Sequence, residues 1–213
     1  SMAEIDSLIE AFKNGDDIHA KTASDIFHVP IDDVTSEMRR MAKAVNFGII
    51  YGISGFGLSE NLDIPVGEAK RFIDHYLESY PGIKTYMDEC IKKAYSDGYV
   101  KTLFNRKRII PELDNKNYMI RSQGERMALN TPIQGTSADI IKKAMIEIHN
   151  RFRKQNINSK MILQVHDELI FDCLESELEI VKSIVKEVME GVVNISVPLR
   201  VDINYGKNWY DAK

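Results

Sequence analysis

Apolar residues recur at helical spacing through most of the first hundred residues of this chain. One face of a short predicted helix is formed by Ile5, Leu8, Ile9 and Phe12. Gly15 is predicted to end that helix. Further helices are predicted over residues 18–27, 36–49, 67–80 and 82–96. Ser36 is the predicted N-cap of the helix that it begins, and the glycines predicted to stop that helix are Gly52, Gly55 and Gly57.

The second half of the chain alternates β-rich and helical segments. Residues 99–110 predict a hairpin that turns at Asn105-Arg106. A long helical region is predicted next over 117–154, with interruptions at Thr131-Pro132 and Gly135. The remaining predicted elements are a hairpin joining 161–165 to 169–173, a helix over 177–190 and a strand over 199–204. The expected fold class is α+β, with a mostly helical lobe and a small antiparallel sheet with helices.

The 213-residue chain has a net charge of −4, and the charge is unevenly distributed. Seven basic residues accompany three acidic ones between Val100 and Arg126, whereas ten acidic residues accompany six basic ones between Lys160 and Lys213. A basic surface could hold a phosphate backbone while carboxylates elsewhere hold a metal. Ordinary scatter of surface charge explains the distribution equally well.

Cysteine content and hydropathy indicate a cytosolic protein. Cys90 and Cys173 are far apart and have no metal-ligand spacing, which predicts reduced thiols. No apolar stretch approaches the roughly 18 residues that a membrane span needs. No signal peptide is recognisable, and Ser1-Met2 is interpreted as an expression remnant.

Four side chains recur every fourth residue on the helix predicted to begin at Ser36: Arg39, Lys43, Phe47 and Tyr51. Each lies about 40° around the helix from the previous one, so the four form one slowly turning row, called here the cation–aromatic stripe. Cations followed by an apolar plate match the needs of a triphosphate that carries a base. The alternative is a solvated Arg-Lys face with two core aromatics.

The tip of the second hairpin carries His166-Asp167-Glu168. Adjacent strand residues point to opposite faces, so the two carboxylates converge only if a turn lies between them. Neighbouring carboxylates repel each other unless a cation neutralises them, which favours Mg²⁺. The alternative is an ordinary polar turn.

A further step-of-four pattern on the long predicted helix consists of Arg126, Asn130 and Gln134, called here the polar row. One cation and two amides along one face could hydrogen-bond bases or sugars. Exposed helix polarity explains the row as well. His19, preceded by Asp16 and Asp17, is by itself a surface histidine.

Read together, these segments resemble the A-family DNA polymerases of the bacterial DNA polymerase I kind. Arg39-x3-Lys43-x3-Phe47-Gly48-x2-Tyr51-Gly52 is similar to the fingers-helix motif of that family, and Gln164-Val165-His166-Asp167-Glu168 to its palm carboxylate motif. The other matching segments are Asp17-Ile18-His19, Thr102-Leu103-Phe104-x-Arg106-x-Arg108, Asn130-x3-Gln134-Gly135-Thr136-x-Ala138-Asp139 and Gly206-Lys207-Asn208-Trp209. The order and spacing agree over essentially the whole chain.

The resemblance implies a role for each group of residues. His19, Arg39, Lys43, Phe47 and Tyr51 would meet the incoming deoxynucleoside triphosphate or the template position. Arg126, Asn130, Gln134 and His166 would touch the DNA primer–template. Asp167 and Glu168 would be the catalytic, metal-holding carboxylates of a two-Mg²⁺ nucleotidyl transfer. The division implied is a fingers subdomain over 3–97 and the remaining fingers and palm over 98–213, in a cytoplasmic bacterial enzyme of DNA replication and repair.

One motif of the family has no counterpart in this chain. The family's other essential carboxylate lies in a strand of the type Asp-Tyr-Ser-x-x-Glu, and no such segment is found. The chain is therefore expected to be a fragment that is inactive alone. The exposed edge of its palm sheet is expected either to self-associate or to be covered by a rearranged segment such as the N-terminal helix. The competing hypotheses are a non-catalytic nucleic-acid-binding module and a single-subunit RNA polymerase.

Overall fold

The computed structural model describes residues 2–212. They form two compact units, residues 2–136 and residues 137–212. The helices are α1 (Asp6–Asn14), α2 (Ile18–Phe27), α3 (Ser36–Ile50), α4 (Gly55–Leu62), α5 (Val66–Ser79), α6 (Pro81–Asp97), α7 (Tyr118–Lys154) and α8 (Leu178–Gly191). The strands are β1 (Tyr99–Lys101), β2 (Lys107–Ile109), β3 (Lys160–Val165) and β4 (Glu168–Asp172). They pair as two antiparallel two-stranded sheets, β1–β2 and β3–β4, so the predicted α+β class is confirmed.

The core of the first unit brings together residues from α2, α3, α4 and α5. Its largest fully buried side chains include Val45, Leu58 and Tyr80. The buried Tyr80 hydroxyl donates to Asp25 Oδ2 at 2.6 Å, so this polar group keeps a partner inside the core. Packing against this core fixes which face of α3 is left for other contacts.

The ends of α3 differ from the prediction in two ways. Ser36 is the first helical residue rather than the N-cap, because Thr35 Oγ1 accepts the Met38 amide at 3.2 Å. At the other end, Gly52 adopts a φ of 65° just after the helix, as predicted for a glycine that stops it. Gly55 begins a further helix, α4, whose cap is Ser54. The glycine-rich run therefore joins two helices.

The predicted interruptions of α7 do not occur. Pro132 lacks the N–H that would bond the carbonyl of Ala128. Cys90 Sγ donates to that carbonyl at 3.2 Å, and burial raises the pKa of the Cys90 thiol, which keeps the proton that it donates. Gly135 does not break the helix either. A Cβ at this position would lie 2.6 Å from Thr102 Cγ2. This glycine permits the close approach of the first hairpin.

The second unit contains the end of α7, the β3–β4 hairpin and α8. Its buried core includes Ile148, Phe152 and Val185. The Glu177 carboxylate accepts from the backbone N–H groups of Asn158 and Ser159 and from the Ser159 hydroxyl, and these bonds lower the pKa of Glu177 to about 2. This carboxylate anchors the turn that leads into β3.

Two other predictions concern the strand over 199–204 and the division of the chain into subdomains. The predicted strand over 199–204 is wrong, because that segment is irregular and the Val201 amide donates to Glu190 Oε1 at 3.2 Å. The predicted boundary between subdomains at 97/98 stays a prediction. The two units of the structure are defined by their compactness, whereas the predicted subdomains are defined by function.

Among the helices of residues 2–212, none combines the length and the apolarity that crossing a bilayer requires.

Candidate nucleotide and catalytic site

The first three residues of the cation–aromatic stripe lie on the solvent-facing side of α3, and Tyr51 is the C-cap residue that follows the helix. Phe47 is 48% exposed and Tyr51 is 44% exposed, while Arg39 and Lys43 are exposed as well. The opposite face of the helix is buried through Met41, Val45 and Ile49 and their neighbours. The two aromatics are therefore not core residues, which excludes the alternative of a solvated Arg-Lys face with two core aromatics. Their exposed rings leave an apolar surface that a ligand can cover.

The Arg39 guanidinium is held by the cap of the preceding helix. Arg39 Nε donates to Asp17 Oδ2 at 2.6 Å. The other oxygen of Asp17 caps α2 by accepting the amides of His19 and Ala20. The Arg39 hydrogen bond and the helix amides hold the pKa of Asp17 below its usual range. The carboxylate therefore fixes the first cation of the stripe beside the start of α2.

His19 lies next to the stripe. The centroid of its ring is 5.8 Å from the centroid of the Phe47 ring. Burial lowers the pKa of His19, the Arg39 and Lys43 charges lower it further, and the Asp17 charge opposes them. The lowered pKa favours the uncharged imidazole at neutral pH. His19, which spacing alone left as a surface histidine, thus joins the stripe in space.

The C-terminal end of the stripe meets the polar row. Gln134 Nε2 donates to the Tyr51 hydroxyl at 3.3 Å. A Cβ at Gly52 would lie 2.9 Å from Arg126 Cγ, so α3 ends directly against α7. Half-buried Asn130 lies one helical turn from both Arg126 and Gln134. The structure therefore joins the stripe and the row into one surface.

The carboxylate hairpin belongs to the second unit. His166 and Asp167 form its two-residue turn, and Glu168 is the first residue of β4, paired with Val165. His166 has a φ of 53°, and its carbonyl accepts from Gln164 Nε2. All three tip residues are exposed. Because Asp167 lies in the turn, strand alternation does not force its carboxylate away from that of Glu168.

The donors at this tip suit a hard cation. Carboxylate oxygens are the ligands that Mg²⁺ prefers, and it commonly takes one or two of them together with substrate phosphates. No group of three or more histidine, cysteine, aspartate or glutamate side chains with metal-binding geometry occurs within residues 2–212. The carboxylates of Asp167 and Glu168 are oxygen donors of this kind.

Sequence spacing missed the residues that support the stripe from behind. Asn46 lies one position before Phe47, and its amide contacts both His19 and the buried Thr22. Neither Asn46 nor Thr22 follows the step of four. The only local signal was an amide placed on the half-buried side of an otherwise apolar helix face.

Comparisons with known proteins agree along the whole chain. The sequence model of DNA polymerase family A matches residues 1–211. The chain is 54% identical to DNA polymerase I of Geobacillus stearothermophilus over 100% of its own length and 24% of that protein. It is 56% identical to DNA polymerase I of Bacillus subtilis over 98% of its length and 24% of that protein. It thus spans about a quarter of the length of these relatives.

One solved structure shows the same fold. It is the POL domain of Pol1 from M. smegmatis in complex with DNA primer–template and dNTP. The TM-score is 0.93 at 42% sequence identity, and the match covers 99% of this chain and 37% of that one.

Proposed function

Since the chain belongs to DNA polymerase family A, we propose that it is the part of a DNA-directed DNA polymerase that binds the incoming deoxynucleoside triphosphate and contributes catalytic carboxylates. The observation that carries the proposal is the exposed cation–aromatic stripe with His19 beside it. It supplies charge for phosphates and an apolar face for a base on one helix.

Within this proposal, the triphosphate lies along the N-terminal part of the stripe. Arg39, Lys43 and the neutral His19 offer N–H donors to phosphate oxygens. Phe47 packs against the base and sugar of the nucleotide. Tyr51, whose hydroxyl accepts a hydrogen bond from Gln134, lies at the template position. Because Arg39 already bonds Asp17, part of its charge is compensated in the absence of nucleotide, and Lys43 is expected to contribute strongly to triphosphate affinity.

The DNA would meet the polar row and the hairpin tip. Arg126, Asn130 and Gln134 offer a cation and two amides to the primer–template, and His166 adds a ring nitrogen at the tip. Asp167 and Glu168 would help to hold divalent metal. Bound Mg²⁺ would stabilise the negative charge that develops on the attacking and leaving oxygens. The chain's own contribution is to position the nucleotide and to place these carboxylates.

The setting of the activity follows from the same proposal. A template-directed polymerase of this family would act in DNA replication and repair. We place it in the bacterial cytoplasm, where Cys90 and Cys173, which form no disulfide, would stay reduced.

Replacing Lys43 with alanine tests the proposed triphosphate contact. In a full-length A-family polymerase that contains this chain, Lys43→Ala is expected to lower kcat/KM for dNTP about tenfold to a hundredfold, since a charge-assisted hydrogen bond contributes about 1.5–3 kcal/mol. Steady-state primer extension with varied dNTP concentration measures the effect. The matched control is Lys92→Ala, which removes an exposed lysine from α6. Equal kcat/KM values for the two variants would show that Lys43 is not part of the proposed site.

Self-association of the chain is a separate expectation. Within residues 2–212, β3 and β4 pair only with each other, and the side chain of Ile162 on β3 is 60% exposed. Unpaired strand edges beside apolar side chains are templates for pairing with another chain. Sedimentation velocity is therefore expected to show the sedimentation coefficient rising with protein concentration.

A charge placed on the hairpin should reduce that association. Ile162→Lys is expected to shift the chain toward monomer, because an edge lysine opposes strand addition. Ile146→Lys is the control, since Ile146 is 62% exposed but lies on a helix of the same unit. A chain that is strictly monomeric at all concentrations, or one that both lysines affect equally, would contradict association through the sheet.

A further inference from the structure

A chain of hydrogen bonds behind the stripe begins at a buried hydroxyl. Thr22 on α2 has 0% exposed area. Its Oγ1 donates to the carbonyl of Ile18 at 2.8 Å. A hydroxyl has a single proton, so this oxygen can serve other neighbours only as an acceptor.

The orientation of the Asn46 amide follows from that hydroxyl. Asn46 Nδ2 lies 3.1 Å from Thr22 Oγ1 and donates to it. The Asn46 oxygen is 3.4 Å from the same hydroxyl, at the long limit of a hydrogen bond. Turning the amide over would place its oxygen against a hydroxyl oxygen whose proton already bonds Ile18. The favoured orientation therefore directs the amide nitrogen to Thr22.

The same amide nitrogen also contacts the histidine. Asn46 Nδ2 lies 3.1 Å from His19 Nδ1 and has a second hydrogen to donate. Nδ1 can accept it only if it carries no proton, which places the proton of the neutral ring on Nε2. In the opposite tautomer two N–H groups would face each other.

We propose that Asn46 is a positioning residue, fixed by Thr22, that holds His19 in the Nε2–H tautomer. The ring then offers an N–H donor from the edge opposite Asn46. An unprotonated Nε2 would instead turn a lone pair toward phosphate oxygens and repel them. This consequence for the triphosphate rests on the proposed function, whereas the tautomer itself can be measured without any nucleotide.

The charged groups around the His19 ring affect whether the ring is neutral. Asp17 approaches from α2's own cap, and Arg39 and Lys43 approach from α3. Burial and the two cations together lower the pKa of His19 and favour the neutral ring, against the attraction of Asp17. Neutrality alone leaves both tautomers available, so the choice between them falls to Asn46.

The test is ¹⁵N NMR of the histidine rings of the 213-residue chain, titrated between pH 5 and 9 without nucleotide. The unaltered chain is expected to show His19 as the neutral Nε2–H tautomer at pH 7. Asn46→Asp puts an acceptor where the donor was, so the proton is expected to move to Nδ1. The pH of half-protonation of His19 should rise by about one or more, as beside a new carboxylate.

Asn61→Asp on α4 is the matched control, because it adds the same charge at an exposed asparagine outside the hydrogen-bond chain. It should leave the His19 tautomer unchanged. An Nδ1–H or mixed tautomer in the unaltered chain overturns the proposal, and this measurement decides even if Asn46→Asp does not fold. A folded Asn46→Asp chain with an unchanged His19 tautomer also overturns it. The Lys43→Ala experiment tests the triphosphate site separately.

Discussion

The purified 213-residue chain is expected to leave a primer unextended in the presence of template, all four dNTPs and Mg²⁺. Two-metal transfer needs enough carboxylates to hold both ions at once. Within residues 2–212, no three or more histidine, cysteine, aspartate or glutamate side chains are grouped so that they could hold a metal ion. The carboxylates at the hairpin tip are those of Asp167 and Glu168. Gel-based primer extension with a labelled primer measures the outcome.

A host polymerase carried through purification is the main source of a false positive in that assay. The chain carrying Asp167→Ala provides the control, because contaminating activity would survive this substitution. A full-length A-family polymerase containing the chain should extend the same primer. Template-dependent incorporation by the chain that disappears in its own Asp167→Ala variant would show that this carboxylate pair suffices, contrary to the prediction.

In that full-length polymerase, Asp167→Ala is expected to lower kcat roughly a thousandfold or more. Stabilisation of transition-state charge by bound metal amounts to several kcal/mol, and each 1.36 kcal/mol is about tenfold in rate. The KM for dNTP should change little, because the proposed triphosphate contacts lie on α3. Single-turnover primer extension separates the chemical step from binding.

Two comparisons make the Asp167 result specific. Asp172→Ala removes an exposed acid from the other end of β4 and should keep near-normal kcat. Lys43→Ala should act chiefly through dNTP handling, with a smaller loss. Equal and small losses for Asp167→Ala and Lys43→Ala would show that the assigned roles are wrong.

Local pattern predicted most of the helices because their apolar faces and caps are short-range features. The helix over 18–27 and the turn at Gly15 are confirmed. The break at Pro132 was wrong because its cost depends on a carbonyl that a distant residue, Cys90, satisfies. The strand over 199–204 was wrong because a strand exists only where a partner strand pairs with it.

In the candidate site, too, local pattern predicted some features, whereas others depend on contacts between distant residues. Spacing identified Arg39, Lys43, Phe47 and Tyr51 as one row, since helix geometry alone sets the angle between them. Spacing could not tell exposed aromatics from core ones, because burial depends on what α2, α4 and α5 cover. Nor could it find Asn46, whose importance comes from two residues on another helix.

The sequence by itself determined the α+β class, the stripe, the hairpin with carboxylates at its tip and the family, since each is written in local periodicity or in ordered motifs. Only the tertiary structure decided that Phe47 and Tyr51 face solvent, that Tyr51 meets Gln134, and that α7 continues through Pro132. These outcomes depend on contacts between residues far apart in the chain. Such contacts form only when helices pack, and no local pattern encodes which partner each polar group finds.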